Sequence, residues 1–245
     1  NLTGSAENLL TSSIDQIFVS SSDVIHRNFD GYEEESSRLS WVGRFNYNYD
    51  DRYIAEFSFR QDGNSKFGSG QRWGFFPSFS LGWRISNEEF MKPIEWLSNL
   101  KLRGSYGTTG DDTDTSVSDG VLAPFGWRDK FKSATGYMFG SNYFPGIAVG
   151  ATPNPYLTWA TLKVYDAGID YGFLNNSLVG EFDFFHKKKT DILQQRVASV
   201  PDTYGRSKAA ENFAEQQWTG FEMSLRYSNH IGNVNYSVNA NMGYV

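Results

Sequence analysis

The stretch RWGFFPSFSLGWRIS, from Arg72 to Ser86, decides the fold. Its odd positions read Trp73, Phe75, Pro77, Phe79, Leu81, Trp83 and Ile85, while Ser78, Ser80, Arg84 and Ser86 hold even ones. Successive side chains on a β-strand point to opposite faces, so this alternation predicts one strand with a greasy face and a wet face. A soluble sandwich would bury the greasy face against a second sheet. A membrane barrel would turn it to lipid and keep the wet face for its interior.

The same period runs through the chain. Leu39, Trp41, Phe45, Tyr47 and Tyr49 alternate with Ser40, Arg44, Asn46 and Asn48. After the turn DDR, Tyr53, Ala55, Phe57 and Phe59 alternate with Glu56, Ser58 and Arg60. Further stretches read the same way around Leu100–Tyr106, Tyr165–Phe173, Leu178–Phe184, Thr219–Tyr227 and Val234–Tyr244. With the opening stretch, eight antiparallel strands are predicted. The connections sort by length: DDR, LNN and SNHIGN are short turns on one side, joined there by the medium-length NEEFMKPIEWLSN. The long connections, including 108–157 and 194–217, fall on the other side. Short periplasmic turns opposite long extracellular loops are a habit of outer-membrane barrels, whereas Greek-key connections give a sandwich no reason to sort loops so.

Composition agrees with this reading. The 245 residues average a mean hydropathy of -0.49 and contain no apolar run of the length a spanning helix needs, about 20 residues. Aromatic residues make up 17%, with 20 Phe, 14 Tyr and 7 Trp, which suits strands with interfacial rings. A formal charge of -6 argues against binding nucleic acid, which needs excess Lys and Arg. With no cysteine, disulfides and thiolate chemistry are excluded. The opening NLTGSAENLL has neither the basic start nor the apolar core of a secretory signal, leaving a cytosolic chain, a mature one, or an internal piece of a larger one. Charges of both signs occupy the wet faces in mid-strand, among them Arg44, Glu56, Arg103, Asp170, Glu181, Asp183 and Glu222, as in a hydrated lumen. A soluble carbohydrate-binding β-sandwich and a small outer-membrane barrel adhesin or enzyme stay open as alternatives.

The blocks YNYDDRYIAEFSFRQDGNSKFGSGQRWGFFPSFSLGWRIS, EEFMK, WLSNLKLRGSYGTTG, NPYLTW and GIDYGFLNNSLVGEFDFFHKKKTDIL together resemble the C-terminal barrel portion of SusC/RagA-type TonB-dependent outer-membrane transporters. The resemblance covers roughly residues 38–245, with a local departure where Ala160 follows NPYLTW in place of an acidic residue. It implies an all-β, antiparallel transmembrane barrel segment, about eight strands of a 22-stranded barrel. Residues 1–37 are then an extracellular loop segment and 108–157 a long surface loop. It further implies a Gram-negative, Bacteroidetes-like outer membrane and a SusD-like surface lipoprotein as lid. TonB would supply energy through an N-terminal region outside this chain, and the substrate would be an oligosaccharide or peptide. Eight strands fall short of that barrel, so the chain is expected to be an internal piece.

On this reading Trp73, Phe75, Phe79, Leu81, Trp83 and Ile85 face lipid. Trp127, Tyr137, Tyr143 and Phe144 in the long loop are candidate contacts for substrate or lid, since aromatic faces stack on sugars and pack on proteins. Lys187, Lys188 and Lys189 are expected to emerge at the outer leaflet and meet lipopolysaccharide phosphates, with at most Lys187 and Lys189 on the lipid side. The acidic run holding Asp111, Asp112, Asp114 and Asp119 could offer oxygen ligands to Ca²⁺, but it completes no EF-hand loop, and a solvated loop is the preferred reading. His26, His186 and His230 lie too far apart in sequence for a zinc motif, and no nucleophile elbow is present. No cofactor and no enzymatic chemistry are predicted.

Overall fold

The computed structural model describes residues 35–113, 125–195, 201–206 and 208–245. Eight strands form one antiparallel sheet in the order β1-β2-β3-β4-β7-β8-β9-β10, which neighbours in sequence join throughout except across a two-stranded insertion, β5-β6. The main strands are β1 (Arg38–Tyr49), β2 (Tyr53–Asn64), β3 (Trp73–Arg84), β4 (Leu97–Asp111), β7 (Ala160–Phe173), β8 (Leu178–Gln195), β9 (Ala210–Ile231) and β10 (Val234–Tyr244). The insertion pairs β5 (Phe131–Phe139) with β6 (Asn142–Val149). All eight predicted strands are present, and the sheet stays open between β1 and β10.

Register turns eight separate alternations into two continuous surfaces. Phe45 lies opposite Phe57, Phe57 opposite Phe79, and Phe79 opposite Tyr106, and the row continues through Tyr165 and His186 to Thr219. A slip of one residue at any pairing would throw that strand's rings to the other face. The rings touch each other: Phe57 sits 4.7 Å from Phe79 and Tyr106 sits 4.9 Å from Tyr165 between centroids. Yet the face is bare, with Phe45 65%, Phe79 49% and Leu81 67% exposed. Among the described residues no second sheet covers it, which removes the sandwich alternative.

The short turns lie at one end. Asp50 and Asp51 both take left-handed φ, of 51° and 48°, and Arg52 N–H closes the turn on the Tyr49 carbonyl at 3.0 Å. Two consecutive left-handed residues match the right-handed twist of the flanking strands, and Asp accepts that conformation. The LNN turn goes further, with Leu174, Asn175 and Asn176 at φ of 54°, 56° and 62°. It is held by Leu174 N–H on the Trp96 carbonyl at 3.1 Å and Asn176 N–H on the Ser98 hydroxyl at 3.2 Å.

At the other end the strands overshoot. A tilted spanning strand needs about 9–11 residues, whereas β8 has 18 and β9 has 22. The excess carries a bulge between Lys189 and Ile192, with Asp191 at φ 58°. Asn212 fills the gap, donating 2.8 Å bonds to the carbonyls of Asp191 and Thr158 and accepting from Thr158 N–H. Here also lies a hydrophobic core, made of Phe67, Phe76, Leu157, Trp159 and Leu193 on the wet side of the sheet. Phe76 breaks the serine and glycine pattern of its face, and its ring lies where Cβ atoms at Gly74 and Gly110 would otherwise stand. Trp159 packs 5.3 Å from Phe67 and donates its indole N–H to the Arg72 carbonyl at 3.0 Å. Each such buried side chain is worth about 1.5–3 kcal/mol, so this knot fastens the 65–72 loop to the strands beside it.

Three expectations need correction. β3 ends at Arg84, and Ile85 opens a 3-10 turn, Ile85–Asn87, where it is half-buried; it does not extend the exposed row. The loop expected over 108–157 gives up its first residues to β4 and contains the β5-β6 hairpin. Lys187 and Lys189 belong to the wet face. Lys187 lies 4.4 Å from the centre of the buried Phe185 ring and Lys189 pairs with Asp111, so Lys188 is the lysine of the three on the apolar side. Phe182 and Phe184 set the parity of that side, and counting from them places 188 with them.

Candidate functional site

The wet face is organised around Arg103, near the middle of β4. Its Nε donates to Asp170 Oδ1 at 2.8 Å and one terminal nitrogen donates to Asp183 Oδ2 at 2.7 Å, one and two strands away. Asp166 and Glu181 stand at 3.9 and 3.8 Å, and Lys101 adds a 3.6 Å contact to Asp170. The long reach to β8 is possible because β7 carries Gly168 between them: a Cβ there would lie 3.0 Å from the guanidinium carbon and collide with the Asp183 carboxylate. Five carboxylates, with Glu222 opposite Asp183 on β9, thus face two cations. A polar surface of this density is stable where water or a polar partner reaches it.

Above the hub, toward the long loops, a cleft of about 210 Å³ opens between Arg38, Arg60, Asp62, Thr109, Asp112 and Trp159. Its charges are paired: Arg60 with Asp62 along β2 at 2.7 Å, and Arg38 with Asp112 from one wall to the other at 2.6 Å. Asn64, 1% exposed, donates to Asp112 and so fixes the mouth of the cleft. Donors and acceptors of both charges beside an indole edge can bind polar, hydroxyl-rich or zwitterionic groups.

The short-turn end carries an aromatic band. Tyr49, Tyr53 and Trp83 stack in a row at 6.4 and 6.5 Å on the apolar face. Glu88, buried in the turn after β3, accepts from Tyr53 Oη at 2.8 Å and Trp83 Nε1 at 3.0 Å, with Arg52 at 3.5 Å. The bonds from Trp83 and Tyr53, helped by Arg52, hold its carboxyl below the usual glutamate range. Sequence reasoning missed this carboxylate, because nothing in NEEF distinguishes Glu88 from Glu89.

The candidate contact residues do not form one site. Trp127 is half-buried at the base of the hairpin, with Arg128 stacked 4.3 Å over its ring and the Gly68 loop against it. Tyr137 and Phe144 are register partners on the hairpin, 67% and 52% exposed, and both rings touch Phe139 at 4.9 and 5.6 Å. Tyr143 pairs with Met138 through the backbone. Phe139, which the sequence reading left out, joins the same ring cluster. Of the acidic run, Asp111 is engaged by Lys189 and Thr113, and Asp112 by Arg38 and Asn64; Asp114 and Asp119 lie outside the described residues. Cations of the protein occupy the two described carboxylates, and no metal-binding group forms among the described residues.

The chain was compared with known proteins. Residues 10–245 match the family described as TonB dependent receptor-like, beta-barrel. The TonB-dependent receptor SusC of Bacteroides thetaiotaomicron is 32% identical over 196 residues, covering 79% of this chain and 19% of that protein. TonB-dependent receptor P3 of Formosa agariphila is 31% identical over 216 residues, covering 84% of this chain and 20% of that protein. Among solved structures, the RagAB peptide importer in its 'open-open' state superposes with a TM-score of 0.72 at 28% identity, over 85% of this chain and 21% of that one. The chain therefore spans about a fifth of the length of these relatives. With a sheet of the same antiparallel architecture and a match over nearly its whole length, the chain belongs to the TonB dependent receptor-like, beta-barrel family.

Proposed function

We propose that this chain forms eight strands of the wall, and part of the extracellular vestibule, of a TonB-dependent outer-membrane transporter that imports oligosaccharides or peptides with a SusD-like surface lipoprotein. The observation that carries it is the pair of unbroken faces on one sheet: aromatic and aliphatic side chains bare on one side, and paired charges on the other, with the long loops at one end. Trp73, Phe75, Phe79, Leu81 and Trp83 then lie in lipid, the Arg103 wall lines the interior, and the short turns lie in the periplasm. Tyr137, Phe139 and Phe144 present a ring cluster outward from the vestibule, suited to stacking on a sugar or packing on the lid. The likeness to the TonB-dependent receptor SusC supports TonB-dependent transport, and the likeness to the RagAB peptide importer supports a peptide substrate.

Deleting the hairpin tip, residues 136–145, in the full-length protein tests this reading. Outer-membrane assembly should be unchanged while uptake or co-purification of the lipoprotein falls. Normal uptake together with normal co-purification would remove the hairpin from the function. Lysines introduced at Asp51 or Asn175 should resist membrane-impermeant amine reagents in intact cells, and their labelling would invert the topology.

A further inference from the structure

On the apolar face, register places Lys163 of β7 directly opposite Lys188 of β8. Directly opposed side chains of this kind stand about 4.5–5.5 Å apart at Cβ, and like charges so placed repel. Below them the same face is apolar, through Tyr165, Phe184, Ile169 and Phe182. The pair stands about ten residues above the LNN turn, the span a tilted strand uses to cross the hydrocarbon. One row above, Thr161 faces Thr190; one row below, His186 bonds Thr219 at 2.7 Å. Glu215 pairs with Lys188 at 2.9 Å, so among the described residues one carboxylate faces two ammonium groups. The two neighbouring lysines cannot share the role, since Lys187 and Lys189 are engaged on the opposite face.

We infer that Lys163 and Lys188 hold a phosphate of an outer-leaflet lipid, that of a phosphorylated lipid A, at the upper edge of the apolar band. The inference rests on the outer-membrane reading. Two ammonium groups close together on a lipid-facing surface need an anion between them, and at this height the lipid phosphate is the anion within reach while its acyl chains lie along Tyr165 and Phe184. The Thr161 hydroxyl stands one row above to donate to the same phosphate, whereas the Thr190 hydroxyl is given to Asp191 at 2.9 Å, and Glu215 neutralises one of the two ammonium charges.

The full-length transporter, purified in a mild non-ionic detergent, is titrated at low salt with phosphorylated lipid A and with its dephosphorylated form, and bound lipid is counted by native mass spectrometry. Each lysine near an anionic surface contributes roughly fivefold, so K163Q/K188Q should weaken binding of the phosphorylated form at least about tenfold, and K163Q alone several-fold. K187Q/K189Q should bind as the wild type does, E215Q should bind more tightly, and raised salt should erase the differences. Wild-type affinity in a K163Q/K188Q protein whose barrel still migrates as folded on unheated gels would overturn the inference, as would equal binding of dephosphorylated lipid A. If the double variant does not fold, unchanged affinity in K163Q decides against it in the same way. Failure of the outer-membrane reading would look different: the wild-type protein would be absent from outer-membrane fractions.

Discussion

Phe79 and Ser80 are adjacent in sequence and share one strand, yet they live on surfaces governed by opposite rules. On the side of Phe79 the side chains are large, exposed and in contact with one another, with no packing layer beyond them among the described residues. On the side of Ser80 small and charged side chains predominate, and several of the charges are paired across strands, Arg103 reaching carboxylates on two of them. A water-soluble protein hides its rings and exposes its charges; here the rings are bare and the charges are tied down. The difference teaches that the two faces meet different solvents, and that the wall between them is one strand thick.

The sharpest way to break the comparison is to exchange the rules. Phe79→Arg, near mid-strand, should cost about 2–4 kcal/mol of stability in the membrane and reduce assembly, whereas Ser80→Arg should be nearly neutral; heat-modifiable gel mobility of outer-membrane fractions reads both. Arg103→Ala should cost less, about 1–3 kcal/mol, because it strands Asp170 and Asp183 on a face that water reaches. Gly168→Val should approach the loss seen in Arg103→Ala, since its side chain would stand where the guanidinium crosses. Urea unfolding from vesicles compares the three, and a Gly168→Val protein as stable as wild type would remove the crossing as a constraint.

A smaller effect sits at the short-turn end. Glu88 has a folded pKa below the ordinary 4.5, so its contribution is present above that value and is lost as pH falls through the depressed folded pKa. Trp83 fluorescence should therefore change in acid, below the ordinary glutamate range, and Glu88→Gln should abolish that transition. A transition centred at the ordinary value or above would mean that the bonds from Trp83 and Tyr53 do not favour the ionised form.

The parity of the main strands was legible wherever one face is wet and keeps the two-residue period, as in Tyr53 to Phe59 and Tyr165 to Phe173. It was not legible at their upper ends, where the pattern puts Lys187 and Lys189 of β8 on the wrong side and reads as loop over 210–217 of β9. The β5-β6 hairpin was not, since runs such as YMF and NYFPGIAV hold apolar residues side by side, and a hairpin standing off the sheet has no buried face to impose alternation. The Arg103 hub was visible as charges of the right parity, but its pairing needed the register, which places Gly168 between Arg103 and Asp183. The Phe67, Phe76 and Trp159 knot draws on three separate segments, and its one sequence signal was Phe76 occupying a position its face gives to serine and glycine. Ile85 continued the pattern on paper although the strand had ended at Arg84.

The most direct measurement follows from the absence of cysteine in this chain, which leaves any introduced cysteine unique within it. Spin labels placed singly at positions 74 to 83 of the full-length protein in lipid vesicles report access to oxygen, which concentrates in the bilayer, and to a water-soluble nickel complex. Oxygen access should peak at 75, 79, 81 and 83 and nickel access at 74, 78, 80 and 82, in opposite phase with a period of two. Access that does not alternate, or alternates with the phases exchanged, would contradict the claim that this sheet divides lipid from a hydrated interior.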